Sequence, residues 1–202
     1  MTRSRRTPDA DPLLERFMPR YDVVERHAIR VNAEPGTTFA ALCGVDFRRS
    51  LVIRAIFKAR ELLMGAEPDD GARPRGLLPL TKSLGWGVLA EEAGREIVMG
   101  AVTQPWHADV VFRAVPPEAF APFAEPDFVK IVWNVRADPD GHGGSIARTE
   151  TRVMATDAGA RSKFRRYWWR VAPGTMLIRW IALRLARADA EHAGRVLGVR
   201  HA

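Results

Sequence analysis

From Tyr21 onward the chain alternates. Val23, Glu25, His27, Ile29 and Val31 share one side of an extended segment, while Asp22, Arg26, Arg30 and Asn32 lie largely on the other. A period of two is the pleat of a strand. This strand has one core-facing side, and that side carries two polar groups, Glu25 and His27. Asn32-Ala-Glu-Pro-Gly then turns the chain, and Pro35 suits the first turn of a short helix over 37–43. A second helix is predicted over 49–64, with Arg54, Lys58 and Glu61 on one side and Val52, Ala55, Ile56, Ala59 and Leu63 over much of the rest. Residues 65–84 are rich in Gly, Pro and charge, and a connection this long is more often functional or mobile than neutral. Strand-like runs follow at 85–91, 95–102, 106–114, 127–138 and 145–156, several of them separated by Gly94, Pro116-Pro117 and Asp138-Pro-Asp-Gly-His-Gly-Gly144. The last of these separators is a hairpin turn that leaves His142 in solvent.

The final element is a long helix from about Ala160. A kink or break is expected at Ala172-Pro173-Gly174, because proline removes a backbone donor and clashes with the preceding turn. Before that point Phe164, Tyr167, Trp168 and Val171 form one face, flanked by Arg161, Arg165, Lys163, Arg166 and Arg170, with Trp169 pointing away. After it Leu177, Ile178, Ile181 and Leu185 form a stripe, but Met176, Trp180 and Leu183 lie among the arginines, so this half should be covered on more than one side.

The strands at 127–138 and 145–156 define two faces. Val129, Ile131, Trp133 and Val135 share one with Ala147, Thr149, Thr151 and Val153. Lys130, Asn134, Arg136, Arg148, Glu150 and Arg152 belong to the other, where cross-strand pairs on an outer surface are expected. Trp133 therefore points inward, and the small hydroxyls of Thr149 and Thr151 leave room beneath the helix. An apolar wall with a few hydrogen-bonding points is what a ligand-holding sheet needs.

The order of elements, and three stretches in particular, resemble the SRPBCC superfamily, which includes START lipid-transfer domains, the birch-pollen allergen family and polyketide cyclases. These stretches are Ile29-Arg-Val-Asn-Ala33, Thr149-Glu-Thr-Arg-Val153, and Phe164-Arg-Arg-Tyr-Trp168 followed by Pro173-Gly and Leu177-Ile-Arg179. They look similar to an uncharacterised bacterial branch of that superfamily. The resemblance spans about residues 20–190 and implies an α+β helix-grip fold, a curved antiparallel sheet wrapped around a long C-terminal helix with a hydrophobic cavity between. Five strands are read after the helix pair where the superfamily usually has six, so 65–84 either hides a short strand or marks its loss. The implied organisation is a polar arm over 1–20, one domain over 21–190 and a loose tail over 191–202.

Composition narrows the function. The 202 residues carry a net charge of +7, but residues 158–202 hold ten basic and two acidic side chains, so the excess is local. Cys43 is the only cysteine. It excludes an intrachain disulfide, and a buried hydrophobe is the expected role. The basic N-terminus lacks the apolar run of a signal peptide, and arginines interrupt 171–186, so a cytoplasmic protein is expected. No phosphate-cradling loop, Cys-x-x-Cys or nucleophile elbow occurs. The histidines at 27, 107, 142, 192 and 201 lack metal-ligand spacing, and His107 with Asp109 needs a third ligand, so neither metal nor cofactor is expected.

The first reading is therefore a binding module for a small hydrophobic or aromatic molecule, such as a lipid or polyketide. Its ligand residues are Trp86, Trp106, Trp133, Thr149, Thr151, Phe164, Tyr167 and Trp168. The second is a cyclase, dehydratase or hydrolase using Glu25, His27 and Tyr167 in acid–base roles. The third is an interaction protein that docks its basic helix on an acidic partner or an anionic membrane surface, with nucleic acid the last choice.

Overall fold

The computed structural model describes residues 11–64 and 74–199, excepting the side chains of 60–64 and 197–199. Its elements are α1 (Pro12–Phe17), β1 (Val23–Val31), α2 (Pro35–Gly44), α3 (Leu51–Met64), α4 (Leu77–Ser83), β2 (Gly87–Glu92), β3 (Glu96–Thr103), β4 (Phe112–Arg113), α5 (Pro117–Phe120), β5 (Val129–Pro139), β6 (Ser145–Ala155) and α6 (Ala158–Val199). The strands make one antiparallel sheet in the order β1-β6-β5-β3-β2, with β4 also paired to β3. Together with the long α6 this is the α+β helix-grip arrangement. Among the described residues five strands follow the helix pair, the number read from the sequence. The segment thought to hide a sixth carries α4 over Leu77–Ser83, while 65–73 lies outside the described residues.

The sheet's inner face packs on α2 and α6. Ile97, Met99, Trp133, Val135, Ala137 and Ala147 meet Phe39 and Leu42 of α2 and Leu183, Ala186 and Ala190 of α6 in one core. A second inner cluster joins Val129, Val153 and Ala155 to Ala160 and Phe164. Alternation in β1, β5 and β6 places these residues as the sequence predicts.

Four expectations are corrected. The strand expected over 106–114 shrinks to Phe112–Arg113, because Pro105 lacks a ladder donor and the chain turns there. The helix continues unbroken through Pro173. That residue sits on the exposed side, and the Thr175 hydroxyl donates to the carbonyls of Val171 and Ala172 at 3.0 and 2.9 Å. The tail expected to be loose from 191 is helix as far as Val199, and the Glu191 side chain accepts a bond from the Asn32 amide at 3.1 Å. The polar arm also ends early: Asp11 caps α1 by accepting from the amides of Leu13 and Leu14, and Pro12 starts the helix.

α1 changes the meaning of the sheet's other face. Leu14, Phe17 and Met18 recur at i, i+3 and i+4. They pack with Phe120 of α5 on Val98, Val102 and Val132, forming a core on the back of the sheet. The charged set expected on an outer surface is therefore largely covered: Lys130, Asn134, Glu150 and Arg152 are buried. Each has a partner, as burial of polar groups requires. The Lys130 amine donates to the Ala121 carbonyl at 2.8 Å, and the Asn134 amide donates to Asp11 and Glu96 at 2.5 and 2.6 Å. Arg136 pairs with Asp138 at 2.8 Å, and Arg26 with Glu150 at 2.9 Å.

Burial, reinforced by the neighbouring Asp11, pushes the Glu96 carboxyl up to about 8, against the opposing pull of the Asn134 N–H. The folded protein thus keeps this proton over a range where the unfolded chain has lost it. Stability from this group is complete below the ordinary value of 4.5 and lost as pH rises through about 8. Glu96→Gln mimics the protonated carboxyl. Urea unfolding should show the variant matching the wild type at the acid end of that window and exceeding it at the alkaline end. A wild-type advantage that grows with pH would contradict this.

Candidate functional site

Four strands carry one row of inward side chains. Met99 on β3 faces Trp133 on β5, Trp133 faces Thr151 on β6, and Thr151 faces Glu25 on β1. In the next row His27 faces Thr149. Between these positions the β5–β6 ladder gives way to side-chain bonds. The Glu150 amide donates to Asn134 Oδ1 at 2.8 Å, and the Thr149 hydroxyl donates to the Asn134 carbonyl at 2.7 Å. Thr149 therefore spends its proton on the sheet. The Thr151 hydroxyl is buried with no partner among the described residues.

Arg179 of α6 completes the cluster. Its Nε lies 3.1 Å from Glu25 Oε2, an ion pair in which Glu25 is almost wholly buried. The approach is off-axis, so neither Glu25 oxygen nor the Arg179 Nε makes a well-aligned hydrogen bond among the described residues. Burial pushes the Glu25 carboxyl above its usual range, and Arg179 only partly pulls it back. Burial also lowers His27, and the Arg179 charge adds to this, so the imidazole is neutral near pH 7. The cluster thus holds a carboxyl poised toward protonation, a neutral imidazole, an arginine and a free hydroxyl, set in an otherwise apolar interface.

The other expected residues divide into two groups. Trp86 joins the cluster's apolar side, its ring 6.0 Å from Trp133 edge-on and 4.9 Å from Phe112. Gly85 permits this. Its φ is +94°, and a Cβ there would stand 2.1 Å from the Phe112 carbonyl oxygen. Trp106, Phe164, Tyr167 and Trp168 instead gather beside Val129 and Val153, with Phe164 stacked on Trp168 at 5.6 Å. The Tyr167 ring packs near Phe164, and no hydrogen bond among the described residues joins its hydroxyl to Glu25 or His27. The Trp106 Nε1 is buried with no hydrogen-bonding partner among the described residues.

A hollow of about 340 Å³ opens at this end, lined by Val23, Phe164, Trp168 and Trp169 with Asp22, Arg161 and Arg165. Val23 is one inward position before Glu25, so the hollow adjoins the polar cluster. Another hollow, of about 230 Å³, lies on the back face among Asp11, Arg26, Asn134, Arg136 and Glu150. Among the described residues no three His, Cys, Asp or Glu side chains gather as metal ligands. Cys43 is half-buried, and burial pushes its thiol up to about 11, with Glu91 adding to the effect, so it stays protonated and unreactive. His142 sits in the exposed hairpin turn, where Asp140 accepts from its amide at 2.8 Å.

Arg179 is the residue that sequence reasoning missed. The signal was present: it interrupts the apolar run between Ile178 and Trp180, and Glu25 is an inward carboxylate in need of a partner.

No protein-family model matches the chain, and no curated protein matches it. Among solved structures, DR_A0006 from Deinococcus radiodurans is similar at 15% identity and a TM-score of 0.29, over 72% of this chain and 94% of that one. Ara h 8.0201 is similar at 8% identity and a TM-score of 0.27, over 83% of this chain and 97% of that one. No helix among the described residues is long and apolar enough to cross a membrane.

Proposed function

We propose that this chain binds a small, largely hydrophobic or aromatic molecule with one polar end, held in the grip between sheet and α6. One observation carries the reading: Glu25 Oε1 and Oε2, Thr151 Oγ1 and Arg179 Nε are buried together in an apolar interface and, beyond the off-axis Glu25–Arg179 ion pair, have no hydrogen-bonding partner among the described residues. Such atoms are costly unless something bonds them, and a ligand offering a donor to Glu25 and an acceptor to Arg179 would do so. The apolar remainder would lie along Trp133 and Trp86, or toward Phe164 and Trp168 where the hollow opens. The helix-grip topology and the three SRPBCC-like stretches support the same reading, and a cytoplasmic location belongs to it.

Solvent extraction of the natively purified protein, followed by mass spectrometry, should yield a specific small molecule. Thermal denaturation with a panel of fatty acids, aromatic acids and phenols should find compounds that raise the melting temperature. An empty extract together with a flat panel would overturn the proposal.

A second reading, an acid–base enzyme, is favoured by the opposite pKa displacements of Glu25 and His27 in one cluster. It requires a bound molecule to be converted by the native protein and left unchanged by His27→Ala. Tyr167 has no bond to this pair, so the reading rests on Glu25 and His27.

A further inference from the structure

The outer side of α6 is apolar where a surface helix is normally polar. Trp169, Pro173, Met176 and Trp180 follow i, i+4, i+7, i+11 spacing, and all are exposed, with Trp169 85% accessible. Leu177 is exposed beside them. Where α3 crosses this stretch, Ile56 lies 3.2 Å from the Cβ position of Gly174, and Val52, one turn away on the same side of α3, is exposed too. The side chains expected to be covered on more than one side are therefore open on one.

The rim of this patch is basic. Between Ala158 and Ala188 there are eight basic side chains and no acidic one, and of these Arg161, Lys163, Arg179 and Arg187 pair with carboxylates elsewhere in the chain. Arg165, Arg166 and Arg170 are exposed and make no ion pair among the described residues, and Arg184 lies over the Trp180 ring at 3.7 Å. We infer that this face docks on an anionic bilayer surface, with Trp169, Met176, Leu177 and Trp180 entering the headgroup boundary and the arginines meeting lipid phosphates. Tryptophans beside arginines on one helix face are the composition of an interfacial helix. A second copy of the chain fits poorly, since self-association through this face would bring Arg165, Arg166, Arg170 and Arg184 of two copies together. Nucleic acid would use the arginines and indoles but offers nothing to the aliphatic Met176, Leu177 and Val52.

The test is co-sedimentation of the full chain with vesicles of pure phosphatidylcholine and of equal parts phosphatidylcholine and phosphatidylglycerol. Binding should appear only with the anionic vesicles and fall as salt rises. Arg166→Gln with Arg170→Gln should weaken it about 30-fold, from roughly fivefold per arginine near such a surface. Met176→Ser with Trp180→Ser should weaken it as well. These four side chains line neither hollow, so thermal response to soluble ligands should stay unchanged and the ligand proposal is tested separately. The inference fails if the chain ignores both vesicles or binds both equally. It also fails if the apolar pair is silent while an oligonucleotide competes, or if Trp180→Ser abolishes a dimer instead.

Discussion

Arg152→Ala should destabilise the fold by roughly 3–5 kcal/mol, the cost of removing one partner from a buried charge pair. Arg152 is fully buried and links the sheet to the chain's N-terminal segment. Its Nε donates to Glu150 at 2.6 Å, one terminal nitrogen donates to the Met18 carbonyl at 2.7 Å, and the other pairs with Glu15 at 2.8 Å. The Tyr21 ring covers the guanidinium at 5.0 Å. Truncation leaves the Met18 carbonyl and part of the Glu150 carboxylate without donors and opens a space beneath α1. Arg26 still holds Glu150, which keeps the loss toward the lower end of the range. Urea unfolding followed by circular dichroism measures the effect, and a change below about 1 kcal/mol would mean that α1 is not held through this residue.

The second large effect separates a structural ion pair from a binding site. Arg179→Met should cost roughly 3–5 kcal/mol, because Glu25 is left in an apolar interface with no counter-charge. The Glu25 carboxyl, already raised by burial, then rises further. A raised carboxyl contributes stability at low pH that is lost as pH climbs through its folded value, so the deficit of Arg179→Met should widen from acid toward neutral pH. Adding Glu25→Leu removes the orphaned charge. The double variant should regain most of the stability, since a buried pair replaced by apolar residues of similar size is often neutral. Ligand-induced stabilisation should not return, because the polar contacts are gone. A double variant that remains as unstable as Arg179→Met would contradict this picture of the pair.

The placement of side chains on the strand faces was legible where one rule governed it. Strand alternation put Glu25, His27, Trp133, Thr149 and Thr151 on one inner face, and the register confirms their adjacency. The back face was not legible for a physical reason. α1 is six residues long, too short for a periodic signal, and without it Lys130, Glu150 and Arg152 look like solvent-exposed charges. The cue was local: Asp11-Pro12 starts a helix, and Leu14, Phe17 and Met18 need a surface to cover. Pro173 does not break the helix: it lies with Trp169 on the exposed side, where a carbonyl freed by the missing donor can turn to water. Arg179 was marked by its place in an apolar run, between Ile178 and Trp180, but only the packing of the helix on β1 shows that it meets Glu25.

The most direct test of the central proposal is native mass spectrometry of the full chain, comparing the wild type with the Glu25→Leu/Arg179→Met double variant. The prediction is a defined small-molecule adduct on the wild type, or on the wild type loaded with a panel compound that raises its melting temperature, and none on the equally folded double variant. Identical spectra for the two proteins, each with the same adduct or each bare after exposure to every panel compound, would contradict a ligand site built on Glu25, Thr151 and Arg179.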